Sequence, residues 1–259
     1  MIITTSGRPD ENLIKSAIEI ANEFDSIFLR RNKKAVDHLK RENDDDILVV
    51  GKNRMELHFS DSTEPLFFHP NSAMFRIKRI IKGEDDPFCL ACKLEKGNSF
   101  LDCTLGLASD SIIASYVVGD KGIVTGIEGS KPLAFLVQKG LLQWKTGLPQ
   151  LDDAMKRIHV KNTEHLAFLK ECPDNSFDVI YFDPMFEETI EGSVGLQPLK
   201  RIANYSTLTK ETITEAKRVA SKRLVLKDHW RSSRFAEFQF QVNVRKTAKF
   251  HYGVIDLNK

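Results

Sequence analysis

From about Asn98 onward, short apolar segments with strand character alternate with segments of helical spacing. Residues 100–103 form the first strand-like segment of this series, and residues 109–118 follow it with helical spacing. Such alternation predicts β-α-β units with parallel strands and right-handed crossovers. We therefore expect an α/β fold built on a mainly parallel sheet. A second helix is predicted over 131–142, further strands over 122–127, 157–161, 177–182 and 223–226, and a closing antiparallel hairpin over 239–244 and 250–255.

The part of the chain before this series predicts a smaller α/β region. Apolar residues over 10–24 recur with helical spacing, and Asp10 is placed to cap that helix at its N-terminus. Two β-rich runs, 47–50 and 55–59, flank Gly51 and predict a hairpin. We place the boundary between an N-terminal α/β region and the main sheet domain at residues 95/96.

The composition is that of a globular protein. Hydrophobic residues make up 41% of the 259 residues, which suffices for a sizeable core. The formal net charge of +2 gives no large electrostatic footprint for nucleic acid over the whole chain. The first residues lack the pattern of a signal peptide, and no apolar run is long enough to cross a bilayer. We expect a cytoplasmic protein with reduced thiols, in which Cys89 and Cys92 belong to a packed helix rather than to a metal site, since a second C-x-x-C pair is missing.

The segment 100–110 places small residues where a predicted strand ends and a helix begins. Gly106 and Ala108 would let the backbone approach a ligand at the carboxyl end of the strand, with the helix amides facing it. The segment is not the G-x-G-x-x-G fingerprint of dinucleotide enzymes, which disfavours NAD. Asp102 either holds a cationic amino group, such as that of S-adenosylmethionine (SAM), or caps the following helix together with Asp110. Both interpretations remain open at this stage.

Acidic and polar residues also follow the next two predicted strands. Glu128 lies 26 positions after Asp102 and is placed to accept hydrogen bonds from ribose hydroxyls, a feature that NAD enzymes share. An exposed loop glutamate is the weaker interpretation. Asn162, Glu164 and His165 follow the third strand, where they would lie beside an adenine ring or form an ordinary polar loop.

The strongest motif is the segment Asp183-Pro184-Met185-Phe186, at which an apolar strand stops. Pro184 biases Asp183 toward an extended conformation, and Phe186 is suited to stack on a planar ring. This arrangement suits methylation of an exocyclic amine. Such an amine is a weak nucleophile and must be held in line with the methyl group that it attacks. Acceptors for its N–H groups would supply positioning and electrostatic stabilisation. A strand followed by a proline turn, with Phe186 in the core, is the alternative. The order of the three loops favours the functional interpretation.

Together these segments resemble class I SAM-dependent methyltransferases, and among them the bacterial small-subunit ribosomal RNA guanine-N2 methyltransferases of the J type. The likeness runs from about Leu48 to Ile255 and includes the hairpin 50–57, the turn 102–110 and the box 183–186. The resemblance implies a Rossmann-like, mainly parallel seven-stranded sheet with a small N-terminal α/β extension, SAM as cofactor, and RNA as partner, either small-subunit ribosomal RNA or the ribosomal subunit. It further implies SAM contacts from Ser109, Asp110, Glu128, Gly129, Glu164, His165 and Asp183.

The chain departs from that family pattern in three places, of which the first is the N-terminal stretch to about Arg41, which looks unlike the family. The family turn usually reads Gly-Leu-Gly-Arg-Asp, whereas this chain has Ala108 and Ser109 at its third and fourth positions, and Glu187 replaces the proline that usually follows the box. The predicted catalytic residues are Asp183, Pro184, Met185 and Phe186. The predicted cofactor-binding residues are Asp102, Thr104, Gly106, Ser109, Asp110, Glu128, Gly129, Asn162, Glu164, His165 and Asp183.

Alternatives to guanine N2 are adenine N6, a small-molecule amine, or a non-catalytic protein that binds SAM or RNA. Among the basic clusters, the one at Arg76, Lys78, Arg79 and Lys82 is expected to contact RNA phosphates, because it directly precedes the sheet domain. Trp230 is expected either to stack on RNA or to lie in the core. The other basic clusters are Arg30, Arg31, Lys33 and Lys34; Lys227, Arg231 and Arg234; and Arg245, Lys246 and Lys249.

Overall fold

The computed structural model describes residues 1–184, 208–245 and 247–257. Contacts between Cα atoms divide the chain into two units, of which one comprises Met1–His69 and the other begins at Pro70. The division lies earlier than the 95/96 boundary expected from the sequence. Helices within 70–95 pack against helices and strands of the second unit, so they belong with the main sheet.

The first unit is a four-stranded sheet with two helices. Its strand order is β2-β1-β3-β4, in which β1 is parallel to β2 and β3, while β3 and β4 form the expected antiparallel hairpin. Asp10 caps α1 by accepting a hydrogen bond of 2.9 Å from the Leu13 amide. A run at 66–68 contributes only an isolated bridge from Leu66 to Leu57. The elements are β1 Ile2–Thr5, α1 Glu11–Glu23, β2 Ile27–Phe28, α2 Val36–Asn43, β3 Ile47–Val50 and β4 Met55–His58.

The second unit contains the expected seven-stranded, mainly parallel sheet. Its order is β10-β11-β9-β8-β5-β6-β7, and the five strands from β9 to β7 run parallel. The last strand, β11, is antiparallel to both of its neighbours, β9 and β10. The strands are β5 Ser99–Asp102, β6 Ile123–Glu128, β7 Ile158–Asn162, β8 Phe177–Phe182, β9 Ala220–His229, β10 Gln241–Asn243 and β11 Phe250–Asp256.

Helices connect these strands, and three of the described ones begin at a capping side chain. The side chains of Asp86, Ser130 and Thr209 each accept a hydrogen bond from a backbone N–H group in the first turn of a helix. Among the described residues, none of the helices is both long and apolar enough to cross a bilayer. The helices are α3 Asn71–Ile81, α4 Pro87–Cys92, α5 Ser109–Val118, α6 Lys131–Gln143, α7 Pro149–Lys156, α8 His165–Glu171, α9 Lys210–Val219 and α10 Arg234–Glu237.

The central strands are buried on both faces, as parallel strands covered by helices usually are. Leu101, Ile180 and Leu224 belong to one core cluster that helices close on one side. Because parallel strands end at the same edge, the polar residues that terminate β5, β6, β7 and β8 lie along one rim of the sheet. We call this rim the carboxyl edge.

Cys89 and Cys92 lie on α4, as the packed-helix interpretation proposed. Burial raises the pKa of Cys89 to about 12 and that of Cys92 well above its ordinary value. In the part of the chain that the structure describes, no three suitable side chains are arranged to hold a metal ion.

Candidate functional site

The turn after β5 folds around the Asp102 carboxyl group. Asp102 Oδ1 accepts a hydrogen bond of 3.0 Å from the Thr104 amide, and Oδ2 accepts one of 2.7 Å from the Ser111 hydroxyl. Burial, with a smaller contribution from the charges of Asp110 and Asp183, raises the pKa of Asp102 to about 7. A buried acid of this kind gains most from a cation placed beside it.

The start of α5 is not capped by an acidic side chain. The N-cap position is Ala108, at φ 62°, and it makes no side-chain capping bond. The helix-capping interpretation of Asp102 and Asp110 is therefore wrong. Gly106 also has a positive φ, 50°, which suits a residue without a Cβ atom.

Ser109, the first residue of α5, has a buried hydroxyl oxygen with no hydrogen-bond partner among the described residues. An unsatisfied buried hydroxyl is costly, and such groups are rare in folded proteins. Its position at the helix N-terminus, where backbone N–H groups are also unpaired, marks a place for a polar ligand.

The second loop is tied to the first through Glu128. One carboxylate oxygen of Glu128 accepts a hydrogen bond of 3.2 Å from the Gly106 amide, and the other accepts one of 2.9 Å from the Ser130 amide. Burial raises the pKa of Glu128 to about 7, and the neighbouring Glu164 adds to this shift. Two bonds leave a carboxylate with spare acceptor capacity, which ribose hydroxyls can use.

The third loop lies against the second. The Asn162 side-chain amide donates to the carbonyl oxygens of Glu128 and Gly129, at 2.8 and 3.0 Å. His165 is buried at the start of α8, edge-on to the Phe182 ring, with 6.1 Å between ring centroids. Burial lowers the pKa of His165, so its imidazole is neutral near pH 7.

The fourth loop carries Asp183, directly after β8. The Asp183 amide donates to Thr104 Oγ1 at 2.6 Å, which ties this loop to the turn after β5. Lys227 Nζ lies 2.6 Å from Asp183 Oδ2 and 3.3 Å from Asp110 Oδ2. Asp183 Oδ1 makes no hydrogen bond to any residue that the structure describes, and the Asp183 side chain is 27% exposed among those residues.

Asp110 joins Lys227 to a second cation. Arg76 Nη1 lies 2.5 Å from Asp110 Oδ1, and the Tyr181 hydroxyl donates to Oδ2 at 2.7 Å. Burial alone would raise the pKa of Asp110, but Lys227 and Arg76 outweigh burial and hold that pKa well below its ordinary value. Asp110 is therefore ionised at neutral pH.

Asp86 completes a row of alternating charges. It binds Arg76 through two hydrogen bonds, of 2.8 and 2.7 Å, in the paired geometry that a guanidinium favours. We call the row Asp86, Arg76, Asp110, Lys227 and Asp183 the charge chain. It carries three acids and two bases and ends at the carboxyl edge.

At Asp183, unlike at Asp110, the nearby cation does not outweigh the effect of burial on the pKa. Burial and the Asp110 charge raise the pKa of Asp183 while Lys227 lowers it, and the result is a pKa of about 6. Burial disfavours the charged form of Lys227, but Asp110 and Asp183 raise the pKa of this lysine well above its ordinary value. Near pH 7 the charge chain thus ends with the Lys227 ammonium group beside the Asp183 carboxylate.

The structure brings most of the predicted site residues to one edge. Hydrogen bonds link Thr104 to both Asp102 and Asp183. Asp110 joins Asp183 through Lys227, and Glu128 joins the turn after β5 through Gly106. The loop with Asn162, Glu164 and His165 lies next to Glu128. Pro184 is described and half-buried, whereas Met185 and Phe186 lie outside the described residues.

Arg76 and Lys227 are the functional residues that the sequence interpretation missed. Arg76 was expected to bind RNA phosphates, and Lys227 was noted only as a member of another basic cluster, but the structure pairs both with buried or half-buried carboxylates. The signal for Lys227 lies in the strand register, because Leu226 pairs with Phe182 and so places Lys227 alongside Asp183. A single sequence does not reveal that register.

Comparisons with known proteins bear on the family and the fold of this chain. The family model of SAM-dependent methyltransferases matches residues 31–252. The uncharacterised protein YpiP of Bacillus subtilis (strain 168) is 51% identical over 254 residues, which make up 98% of each chain. Ribosomal RNA small subunit methyltransferase J of Buchnera aphidicola is 27% identical over 201 residues, or 73% of this chain and 78% of that protein. The solved structure of the SAM-dependent methyltransferase NGO1261 from Neisseria gonorrhoeae has a TM-score of 0.64 at 15% identity, covering 99% of this chain and 96% of its own, which shows a shared fold.

Proposed function

Because the chain belongs to the family of SAM-dependent methyltransferases, we propose that it methylates an exocyclic amine of RNA, and that guanine N2 of small-subunit ribosomal RNA is the acceptor. The observation that carries the proposal is the Asp183 carboxylate, of which Lys227 binds one oxygen at the carboxyl edge while no described residue binds the other. The similarity to small-subunit methyltransferase J over 73% of this chain supports RNA as the substrate class.

The residues of the first two loops fit SAM. The buried Asp102 carboxyl suits the cationic amino group of the methionine part, and the Ser109 hydroxyl lacks a partner that a ligand would supply. Glu128 suits the ribose hydroxyls, and the loop with Asn162 and His165 would border the adenine. When bound here, SAM supplies a methyl group on a sulfonium, which is already a strong electrophile.

Asp183 acts on the acceptor side in this proposal. The lone pair of an exocyclic amine is delocalised into its base, so the amine reacts only when it is well positioned. Asp183 Oδ1 accepts a hydrogen bond from the amine, and an ionised carboxylate is a stronger acceptor than a neutral one. The amine loses a proton as its new bond to carbon forms, and Asp183 Oδ1 can hold that proton because its pKa is about 6. The base has to leave its stack to reach this edge.

The test is transfer of labelled methyl from SAM to unmodified small-subunit RNA, or to the small subunit itself, followed by mass spectrometry of the nucleosides. We expect N2-methylguanosine as the product. Asp183→Asn should abolish transfer but keep the fold, since asparagine has the same shape. Asp178→Asn is the matched control, because Asp178 lies on the same strand at its opposite end and bonds to Ser99.

Three outcomes would contradict the proposal. Methylation of adenine N6 alone would overturn the guanine assignment. Transfer to a small-molecule amine and to no RNA would overturn the substrate class. SAM binding without turnover on any acceptor would indicate a non-catalytic protein.

A further inference from the structure

A tryptophan lies exposed at the carboxyl edge, directly after β9. The Trp230 residue is 47% exposed, which is unusual for so large an apolar side chain. Its backbone amide donates to the Lys249 carbonyl oxygen at 3.3 Å, and the Arg231 guanidinium lies 4.4 Å from the centre of its ring. The His229 ring also lies near the indole, with 5.9 Å between ring centroids, so the indole has two neighbours and still remains exposed at the surface.

Three cations on the segments next to this ring, Arg231, Arg245 and Lys249, have no acidic partner among the described residues. Arg231 and Lys249 are exposed, and Arg245 is half-buried over the Phe250 ring at 4.9 Å. None of the three forms an ion pair with a carboxylate in the described part of the chain, and Arg245 Nη1 is buried without a hydrogen-bond partner there. The nearby Arg234 is different, since it pairs with the buried Asp228 at 3.0 Å.

This group of residues is continuous with the charge chain. The Phe250 ring contacts Arg245 and also lies 5.1 Å from Lys227 Nζ, which in turn binds Asp183. Phe250 pairs with His229 across β11 and β9, next to Trp230. We call Trp230, Arg231, Arg245, Lys249 and Phe250 the Trp230 surface.

We propose that the Trp230 surface binds single-stranded RNA next to the acceptor base, with a neighbouring base stacked on Trp230 and the adjoining phosphates held by the three cations. The proposal rests on the proposed function and adds the place and manner of RNA binding. An exposed aromatic ring can stack on any base, and unpaired cations release counterions when they neutralise phosphates. A base taken out of its stack for methylation leaves its neighbours open to such contacts.

The basic cluster on α3 is a poorer candidate, although the sequence favoured it. Arg76 is committed to the charge chain, and Arg79 lies 2.7 Å from Glu84. Two of the four cations of that cluster are therefore already paired.

The test measures binding of a fluorescein-labelled single-stranded RNA of mixed sequence, together with the KM of the RNA in the transfer assay. Trp230→Ala should lower the RNA affinity and raise the KM of the RNA, each by about tenfold, because stacking contributes about 1–3 kcal/mol per base. Trp230→Phe should restore most of the loss, because phenylalanine keeps a stacking face. Arg231→Ala and Lys249→Ala should each lower the salt dependence of binding by about one ion.

Lys121→Ala is the matched control, since Lys121 is an exposed cation at the amino end of β6 on the opposite edge. Binding of S-adenosylhomocysteine should be the same in all variants, which shows that the site is intact. Unchanged RNA affinity in Trp230→Ala, or tighter binding of a duplex than of a single strand, would overturn the proposal.

The two proposals fail in different ways. If RNA is methylated but Trp230→Ala keeps the wild-type KM and affinity, the surface is wrong and the function stands. If no RNA is methylated but Trp230→Ala loses affinity for the oligonucleotide, the surface stands and the function is wrong.

Discussion

Replacing Lys227 with methionine removes the charge that Asp110 and Asp183 share while keeping most of the side-chain volume. The lysine side chain is 18% exposed, and those of Asp110 and Asp183 are 8% and 27% exposed. Replacing a whole buried ion pair with apolar groups is often harmless, but removing one partner leaves an uncompensated buried charge. We therefore expect two effects, one on stability and one on the reaction.

The loss in the free energy of unfolding depends on which partners Asp110 and Asp183 keep in Lys227→Met. Breaking a buried ion pair typically costs about 3–5 kcal/mol. Asp110 keeps Arg76 and Tyr181, and Asp183 is partly open to solvent, so the lower end applies: about 3 kcal/mol. For a chain of this size, that corresponds to a melting temperature lower by roughly 6–12 °C.

The effect on the reaction follows from the pKa of Asp183. Lys227 lowers this pKa, so the pKa should rise above its present value of about 6 in Lys227→Met. In the native protein the carboxylate is ionised above about pH 6, and the rate should fall as the pH drops through that value. The acid limb of the pH–rate profile should move to higher pH in the variant, and Lys227→Arg should keep it near its native position.

Calorimetric melting and single-turnover rates measured across pH test both effects. The matched control is Lys222→Met on the same strand, where Lys222 lies 3.1 Å from Asp178 but is 54% exposed. That exposed pair should contribute only about 0–1 kcal/mol. The reasoning is refuted if Lys227→Met melts no lower than Lys222→Met, or if its pH–rate profile does not move.

Four further predictions concern the first two loops and the strand beside them. Asp102 and Glu128 have pKa values raised to about 7 in the folded protein, whereas the unfolded chain releases these protons at lower pH. The cofactor-free protein should therefore lose stability as the pH rises from about 4 to 7. Melting temperatures measured across this range should depend less on pH in Asp102→Asn. The same variant should bind SAM at least tenfold more weakly by calorimetry, and equal affinity would remove Asp102 from the site. Glu128→Gln should weaken SAM binding but not methionine binding, because only the ribose contact changes. Gly126→Ala would place a Cβ 2.4 Å from Leu105 Cδ1, so it should displace the turn, cost about 1–3 kcal/mol and weaken SAM binding, and an unchanged melting temperature would contradict this.

Much of the main sheet could be predicted from sequence because its signals are local. Each central strand is an apolar run that ends at a polar residue, and the helix over 109–118 has matching bounds in the structure. The first strand, Ile2–Thr5, was missed because four residues carry little periodicity, and its identity depends on pairing with β3. Helix α3 was missed because its N-cap, Pro70, offers no capping side chain.

The candidate site also contains residues that local sequence signals reveal and residues that they do not. The acids that end the strands were found, since their positions follow from where each apolar run stops. The bases that hold them were not found, because Arg76 and Lys227 are distant in sequence from Asp110 and meet it only in the folded protein. An acid at a strand end is a local signal, whereas its counter-ion depends on topology.

The charge chain also restricts how this protein can be recombined with its relatives. Arg76 and Asp86 precede the sheet, while Asp110, Lys227 and Asp183 belong to it. A chimera with its crossover between Arg76 and Asp110 would combine a guanidinium from one parent with a carboxylate from another. Crossovers placed before Pro70 keep the whole row from a single parent, so libraries of hybrid proteins should retain activity more often when the exchange point lies there.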